Sequence, residues 1–266
     1  MIPTFIYGTA WKEEETERLT RLAIEAGFRA IDTANQRRHY FEAGVGAAVA
    51  GAIRDGVVRR EELFLQTKFT YASGQDHRLP FDPHADPAKQ VRQSFASSLE
   101  HLRVETIDSY VLHGPSRRRG LSQEDVAVWR AMESLPVAFL GVSNVALEQL
   151  DTLCELAVKK PTFVQNRCFA ATGWDAEVRA LCRERGIVYQ GFSLLTANVK
   201  ELRSRAFHAI VQRVRRTPAQ VVFRFARQVG MVPLTGTTDP AHMREDLAID
   251  DFELTEEEVA AIERLA

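Results

Sequence analysis

Groups that move or stabilise protons follow several short apolar runs in this chain. Phe28–Ile31 leads into Asp32-Thr33-Ala34, Leu63–Thr67 into Lys68, and Ser109–Leu112 into His113, which precedes Gly114-Pro115. Set at adjacent strand ends, roughly 5 Å apart, a carboxylate and an ammonium can pair, and an apolar setting tolerates neither alone. Taken by itself, that pair is equally a structural salt bridge. A third group shifts the balance, because a cation beside a phenol favours phenolate and lowers the tyrosine pKa toward the range of a working general acid. Tyr40 is the one tyrosine between Phe28–Ile31 and Leu63–Thr67. His113, on the same rim, would complete the cluster. Two further runs end in neutral groups, Val137–Val142 in Ser143-Asn144 and Thr162–Val164 in Gln165-Asn166. Such donors and acceptors suit a carboxamide, the polar handle of a nicotinamide ring, and would be weak ligands, so no metal is expected. Phe192, after Ile187–Gln190, offers a flat face for stacking, the plainer reading being a core aromatic.

For these groups to meet, the runs must be parallel strands with their ends on one rim. Eight such runs occur, Thr4–Tyr7 and Met231–Leu234 being the others, with amphipathic stretches between them. Helices are predicted over Glu13–Ala26, closed by Gly27, and over Asp175–Arg185, closed by Gly186. Thr217-Pro218 opens another over Ala219–Gln228, and Thr255-Glu256-Glu257-Glu258 is a capping box for a final helix. Spread over 266 residues, eight units take about 33 residues each, close to the roughly 30 that a βα unit needs. One closed (β/α)8 TIM barrel, a single α/β domain over residues 1–266, therefore uses the whole chain. An open doubly wound sheet would carry a glycine-rich turn after its first strand, and Gly8-Thr9-Ala10-Trp11 is not one. Phe69–Pro87 has no period and is expected to form a long loop on the catalytic face.

The chain is 45% hydrophobic and 26% charged, and 34 Lys plus Arg against 36 Asp plus Glu leave a formal charge of -2. No field of one sign is available to hold nucleic acid. The densest basic run, Arg117–Arg119 beside Gly120, reads as a solvated turn. Cys154, Cys168 and Cys182 match neither a zinc pattern nor a disulfide framework. With no signal peptide and no uncharged apolar run of about 18 residues, a cytoplasmic protein without a membrane span is expected.

In this order, the residues resemble the aldo-keto reductase family of NADPH-dependent (β/α)8 oxidoreductases. The resemblance covers nearly the whole chain. It rests on Gly27-Phe28-Arg29-Ala30-Ile31-Asp32-Thr33-Ala34, on Val45-Gly46 opening the second helix, and on Leu65-Gln66-Thr67-Lys68. It continues through Ser98–Leu102 with Ile107–His113, Gly141-Val142-Ser143-Asn144, Val164-Gln165-Asn166 and Thr217–Val221. It implies a tetrad of Asp32, Tyr40, Lys68 and His113. The family tyrosine stands five positions after the aspartate, where this chain has Arg37; counted back from Val45-Gly46 the loop holds two extra residues, so Tyr40, eight after the aspartate, takes that role. Hydride would pass from the reduced cofactor to an aldehyde or ketone carbon while Tyr40 protonates the oxygen. Lys68, held by Asp32, would stabilise the phenolate, and His113 would orient the carbonyl.

The resemblance further implies a cofactor site of Gly8, Thr9, Asp32, Ser143, Asn144, Gln165, Phe192, Ser193, Leu195, Thr235, Gly236, Thr237, His242, Glu245 and Asp246. Trp11 and His113 would face the substrate. At the adenine end, the family's Lys-Ser pair and arginine for the 2′-phosphate are missing: strand eight runs into Pro233-Leu234-Thr235-Gly236-Thr237-Thr238, and His242 stands where the arginine would be. NADPH is the expected cofactor, with NADH the alternative. Specificity is expected to come from the Phe69–Pro87 loop, with His77, Arg78, Phe81 and His84. A chain stopping at Ala266 without the family's C-terminal loop predicts an open, shallow pocket, and a monomer or weak dimer is expected. Two other readings compete: a non-catalytic nucleotide-binding barrel, if the loop displaces Tyr40, and a Schiff-base lyase using Lys68 as nucleophile.

Overall fold

Parallel pairing runs once around and returns to its start. In the computed structural model, which describes residues 2–265, the strands are β1 (Ile6–Gly8), β2 (Ala30–Asp32), β3 (Phe64–Phe69), β4 (Ser109–Leu112), β5 (Phe139–Ser143), β6 (Phe163–Arg167), β7 (Val188–Phe192) and β8 (Met231–Thr235). They pair in sequence order, and β8 closes on β1. Met1 and Ala266, the ends of the expected domain, lie outside the described residues. The helices are α1 (Thr16–Ala26), α2 (Glu42–Arg54), α3 (Pro87–Leu102), α4 (Gln123–Glu133), α5 (Leu147–Leu156) and α6 (Ala176–Arg185), each following its strand. Then come α7 (Arg205–Val214) and α8 (Pro218–Gln228) before β8, and α9 (Pro240–Leu247) and α10 (Glu256–Glu263) after it. None of the described helices is long and apolar enough to cross a membrane.

Local chemistry sets the boundaries. Thr217 and Gln220 exchange side-chain-to-backbone hydrogen bonds at the start of α8, and Thr255 and Glu258 do so at α10. Gly27, with φ 118°, closes α1 in the left-handed region that a side chain would resist. Several strands run further toward their C-terminal ends than the apolar runs, β3 reaching Phe69 and β6 reaching Arg167. Asp32 and Lys68 therefore sit inside strands rather than just beyond them, because paired polar side chains in the barrel let the ladder continue. Val45-Gly46 also lies within α2, which opens earlier, at Glu42. Gly46 is a contact point: a Cβ there would stand 2.0 Å from the carbonyl oxygen of His101 on α3.

The barrel interior is layered. Its lower layer is apolar, formed by Ile6, Ala30, Phe64, Phe163 and Val232, with the Phe64 and Phe163 rings edge-on at 5.7 Å. A larger apolar core fills the space between sheet and helices. Above the apolar plug, the strands turn polar, and that change of character positions the site.

Candidate active site

Asp32, Gln66, Lys68, Gln165 and Gln190 share the upper layer, all buried. Lys68 Nζ donates to Asp32 Oδ1 (2.7 Å), Asp32 Oδ2 (2.6 Å) and the Thr33 carbonyl (2.8 Å), which uses its three hydrogens. Asp32 Oδ1 also accepts from Gln66 Nε2 (2.8 Å) and Gln165 Nε2 (3.0 Å), and both amides donate to Gln190 Oε1. Hydrogen bonds to both charged groups of this kind are what let an ion pair stay in a barrel core. Burial lowers the Lys68 pKa, with Asp32 opposing it.

The loop after β2 carries the phenol to this pair. His39 and Tyr40 both donate backbone N–H groups to the Gln36 carbonyl, and Gln36 Nε2 donates to the Gly74 carbonyl (2.6 Å), so the longer loop is folded into an anchored turn. Tyr40 then places its ring centre 5.2 Å from Lys68 Nζ and 5.9 Å from the His113 ring, edge-on. Arg37, at the spacing usual in the family, lies elsewhere: its guanidinium covers the Phe41 ring and faces Glu13 and Glu14. The expected lowering of the phenol pKa is overturned. Burial, then the Asp32 charge, pushes it well above the ordinary tyrosine value, because Asp32 offsets the nearby cation.

His113 is held from three sides. Its N–H donates to the Phe69 carbonyl (2.9 Å), its carbonyl accepts from Asn144 Nδ2 (2.8 Å), and Nδ1 lies 2.6 Å from Thr70 Oγ1. Burial, helped by the positive charge of Lys68, pushes its pKa down to about 3, so the ring is neutral near pH 7.

A cavity of about 1350 Å³ opens above these residues. Asp32, Tyr40, His113, Ser143, Asn144, Gln165 and Phe192 line one part of it. It continues past Gly8, Ser193, Leu195, Thr235, Gly236 and Thr237 to His242, Glu245 and Asp246, while Trp11, 69% exposed, stands at the mouth with its ring 4.0 Å from that of His39. Ordinary small-ligand pockets hold about 300–1,000 Å³, and this one is larger. It has room for a dinucleotide and a small substrate together.

Thr9 and the Phe69–Pro87 loop, both expected near the ligands, lie outside the cavity lining. Thr9 is buried outside the lining, its hydroxyl donating to the Asp32 carbonyl (3.0 Å), so it braces β2. Among the described residues, none between Thr70 and Pro87 lines the cavity. Phe81 is buried against Phe69, ring centres 5.6 Å apart, and Arg78 is paired with Asp76. Phe81 thus packs onto the end of β3, and Gln75 and Gly74 tie the loop to Asn35 and Gln36. The β6 and β7 loops supply the wall instead, through Arg167, Phe169, Val199 and Leu202.

The family model described as Aldo/keto reductase family matches residues 4–266. The chain belongs to the aldo/keto reductase family. An aldo-keto reductase of Mycolicibacterium vanbaalenii is 32% identical over 254 residues, covering 95% of this chain and 84% of that one. Deoxymugineic acid synthase 1 of Oryza sativa is 33% identical over 285 residues, covering 97% of this chain and 84% of its own. A Bombyx mori aldo-keto reductase crystallised with NADP matches with TM-score 0.82 and 25% identity, covering 99% of this chain and 89% of that one.

In this aldo/keto reductase, several site residues escape a reading of apolar runs. Gln66, Lys68 and Thr70 alternate along β3 and beyond it, so the two-residue period that places Lys68 inside also places its neighbours there. Lys12 Nζ donates to the Gly236 carbonyl (2.7 Å), tying the loop after β1 to the loop after β8, and burial lowers its pKa to about 8. Arg167 ends β6 with its guanidinium 5.7 Å from the centre of the Phe192 ring.

Proposed function

We propose that this aldo/keto reductase reduces a small aldehyde or ketone with NADPH, Tyr40 giving the proton. The observation that carries this reading is the meeting of Tyr40 and a neutral His113 at one cavity wall, with Lys68 beside the Tyr40 ring. The residues also fit the cofactor. Asn144 spends its amide hydrogens on the His113 carbonyl and Ser143 Oγ, and Gln165 spends its own on Asp32 and Gln190. Both side-chain oxygens are left to accept from a carboxamide at the cavity wall. Phe192, Ser193, Leu195, Thr235, Gly236, Thr237, His242, Glu245 and Asp246 would hold the rest of the nucleotide, with Gly8 giving close backbone approach.

When bound, reduced nicotinamide supplies the hydride. Tyr40, kept protonated by its burial, holds a proton at Oη for the carbonyl oxygen. Lys68 meets the phenolate that this transfer leaves, and Asp32 keeps Lys68 in place. His113, being neutral, orients the carbonyl by a hydrogen bond without competing as an acid. Trp11 and His39 border the mouth where the rest of the substrate enters.

The lyase reading fares poorly on geometry, since Lys68 Nζ has its three hydrogens engaged and does not line the cavity. The non-catalytic reading needed a displaced Tyr40. At the adenine end, Leu234 stands in place of a cation, and Glu245 and Asp246 face the cavity near His242, which supports NADH as a second cofactor. A cytoplasmic setting agrees with three buried cysteines kept as thiols.

The test is to titrate the protein with NADPH and then NADH, following tryptophan fluorescence, and to follow cofactor oxidation with a panel of small aldehydes. Binding and oxidation are expected with NADPH. Failure to bind either nucleotide would overturn the assignment.

A further inference from the structure

Thr70 is the first residue after β3, buried at 6% exposure, and its hydroxyl has one partner among the described residues, His113 Nδ1 at 2.6 Å. A neutral imidazole carries one ring hydrogen, so two arrangements could make this contact. If Nδ1 carried the hydrogen and donated it, the Thr70 hydroxyl hydrogen would be left buried without an acceptor, which folded proteins avoid. If the hydroxyl donates to a bare Nδ1, every hydrogen at the contact is used and the ring hydrogen stays on Nε2. That nitrogen has no partner among the described residues, and its ring lines the cavity.

We propose that Thr70 is a positioning residue that holds His113 as the Nε2–H tautomer, so that the ring donates a hydrogen bond to the carbonyl oxygen of the substrate. The proposal deepens the reductase reading and rests on it. The opposite tautomer would turn a lone pair toward that oxygen and repel it. Nothing else about His113 sets the tautomer, because its other two contacts are made by its backbone. The anchor is itself anchored: Gln75 Nε2 donates to the Thr70 carbonyl (3.2 Å) and to the Asn35 carbonyl (2.8 Å). One strand end thus serves both donors to the carbonyl, through Lys68 beneath Tyr40 and through Thr70 behind His113.

The test has two arms. In nitrogen-edited NMR of the substrate-free protein, with the signal assigned by its loss in His113→Gln, His113 is expected to show a bare Nδ1 and a protonated Nε2. Thr70→Val, which keeps shape and removes the hydroxyl, is expected to lower kcat/KM for a small aldehyde about tenfold, the scale of one neutral hydrogen bond. Its NADPH Kd should stay within about twofold, and Thr70→Ser should recover kcat/KM to within about threefold of the parent. A protonated Nδ1 in the parent would overturn the proposal, as would undiminished kcat/KM in Thr70→Val or no recovery in Thr70→Ser. A parent protein that reduces no carbonyl would instead sink the reductase reading, while the NMR arm still reports the tautomer.

Discussion

The Lys68 ammonium lies 5.2 Å from the centre of the Tyr40 ring, yet two of its hydrogens are given to Asp32. The phenol is therefore near a cation whose field is largely cancelled, and in the resting protein it stays protonated. The cation matters at the moment of transfer, when a phenolate would otherwise form in a buried setting. Tyr40 as donor and Lys68 as its support are distinct roles set by that distance and that pairing.

Removing Lys68 alone should be costly to the fold. Lys68→Met leaves the Asp32 carboxylate buried with only neutral donors, and breaking a buried pair on one side typically costs about 3–5 kcal/mol. Urea denaturation should show a loss of that order, and Asp32→Asn combined with Lys68→Met should recover much of it. A single variant as stable as the parent would show that the pair is not desolvated as described.

Gly46 and Gly51 lie on the same helix and should respond oppositely to alanine. At Gly46 the new Cβ would stand 2.0 Å from the His101 carbonyl oxygen and 2.7 Å from Leu102 Cα, both backbone atoms that cannot step aside. Separating α2 from α3 should cost about 3 kcal/mol or more. At Gly51 the nearest atoms are ends of the Arg21 and Arg54 side chains, at 3.5 and 3.7 Å, so alanine should stabilise by about 0.5–1 kcal/mol. Equal effects in thermal denaturation would contradict this packing.

Much of this architecture is legible in the sequence, because a buried parallel strand needs a short apolar run and eight such runs occur. Strand ends were less legible. Apolarity stops at Thr67 and Val164, whereas β3 and β6 continue through polar residues whose partners come from distant strands. The Asp32 and Lys68 pairing could be anticipated from adjacency on a rim, but the pKa of Tyr40 could not, since it depends on burial. Thr70 carries no apolar signal at all, and Gln190 reads only as the last residue of the run Ile187–Gln190. Nothing local in the Phe69–Pro87 segment reveals that Phe81 packs against Phe69.

Two buried groups should tilt the acid stability of the nucleotide-free protein in opposite directions. His113 has a folded pKa of about 3 against an ordinary 6.5, so between these values the unfolded chain binds the extra proton and stability falls as pH falls. Asp246, which accepts from Thr235 Oγ1 at 2.8 Å, is raised by burial to about 6 from 3.8, so the folded chain binds the extra proton and its contribution to stability grows as pH falls through that window. A single such proton changes stability by up to about 1.4 kcal/mol per pH unit. Asp246→Asn should therefore lose stability more steeply than the parent from about pH 6 to 4, and His113→Gln less steeply, in denaturant midpoints measured across that range. Parallel pH profiles for all three would contradict the two shifts.

Tyr40 as the proton donor is tested most directly by comparing Tyr40→Phe with the parent in NADPH oxidation by a small aldehyde, alongside NADPH titration. A lost general acid should lower turnover by about a hundredfold or more, with NADPH affinity within about twofold because the ring and its contacts remain. Turnover equal to the parent's would contradict the assignment of Tyr40 and place the acid elsewhere in the cavity.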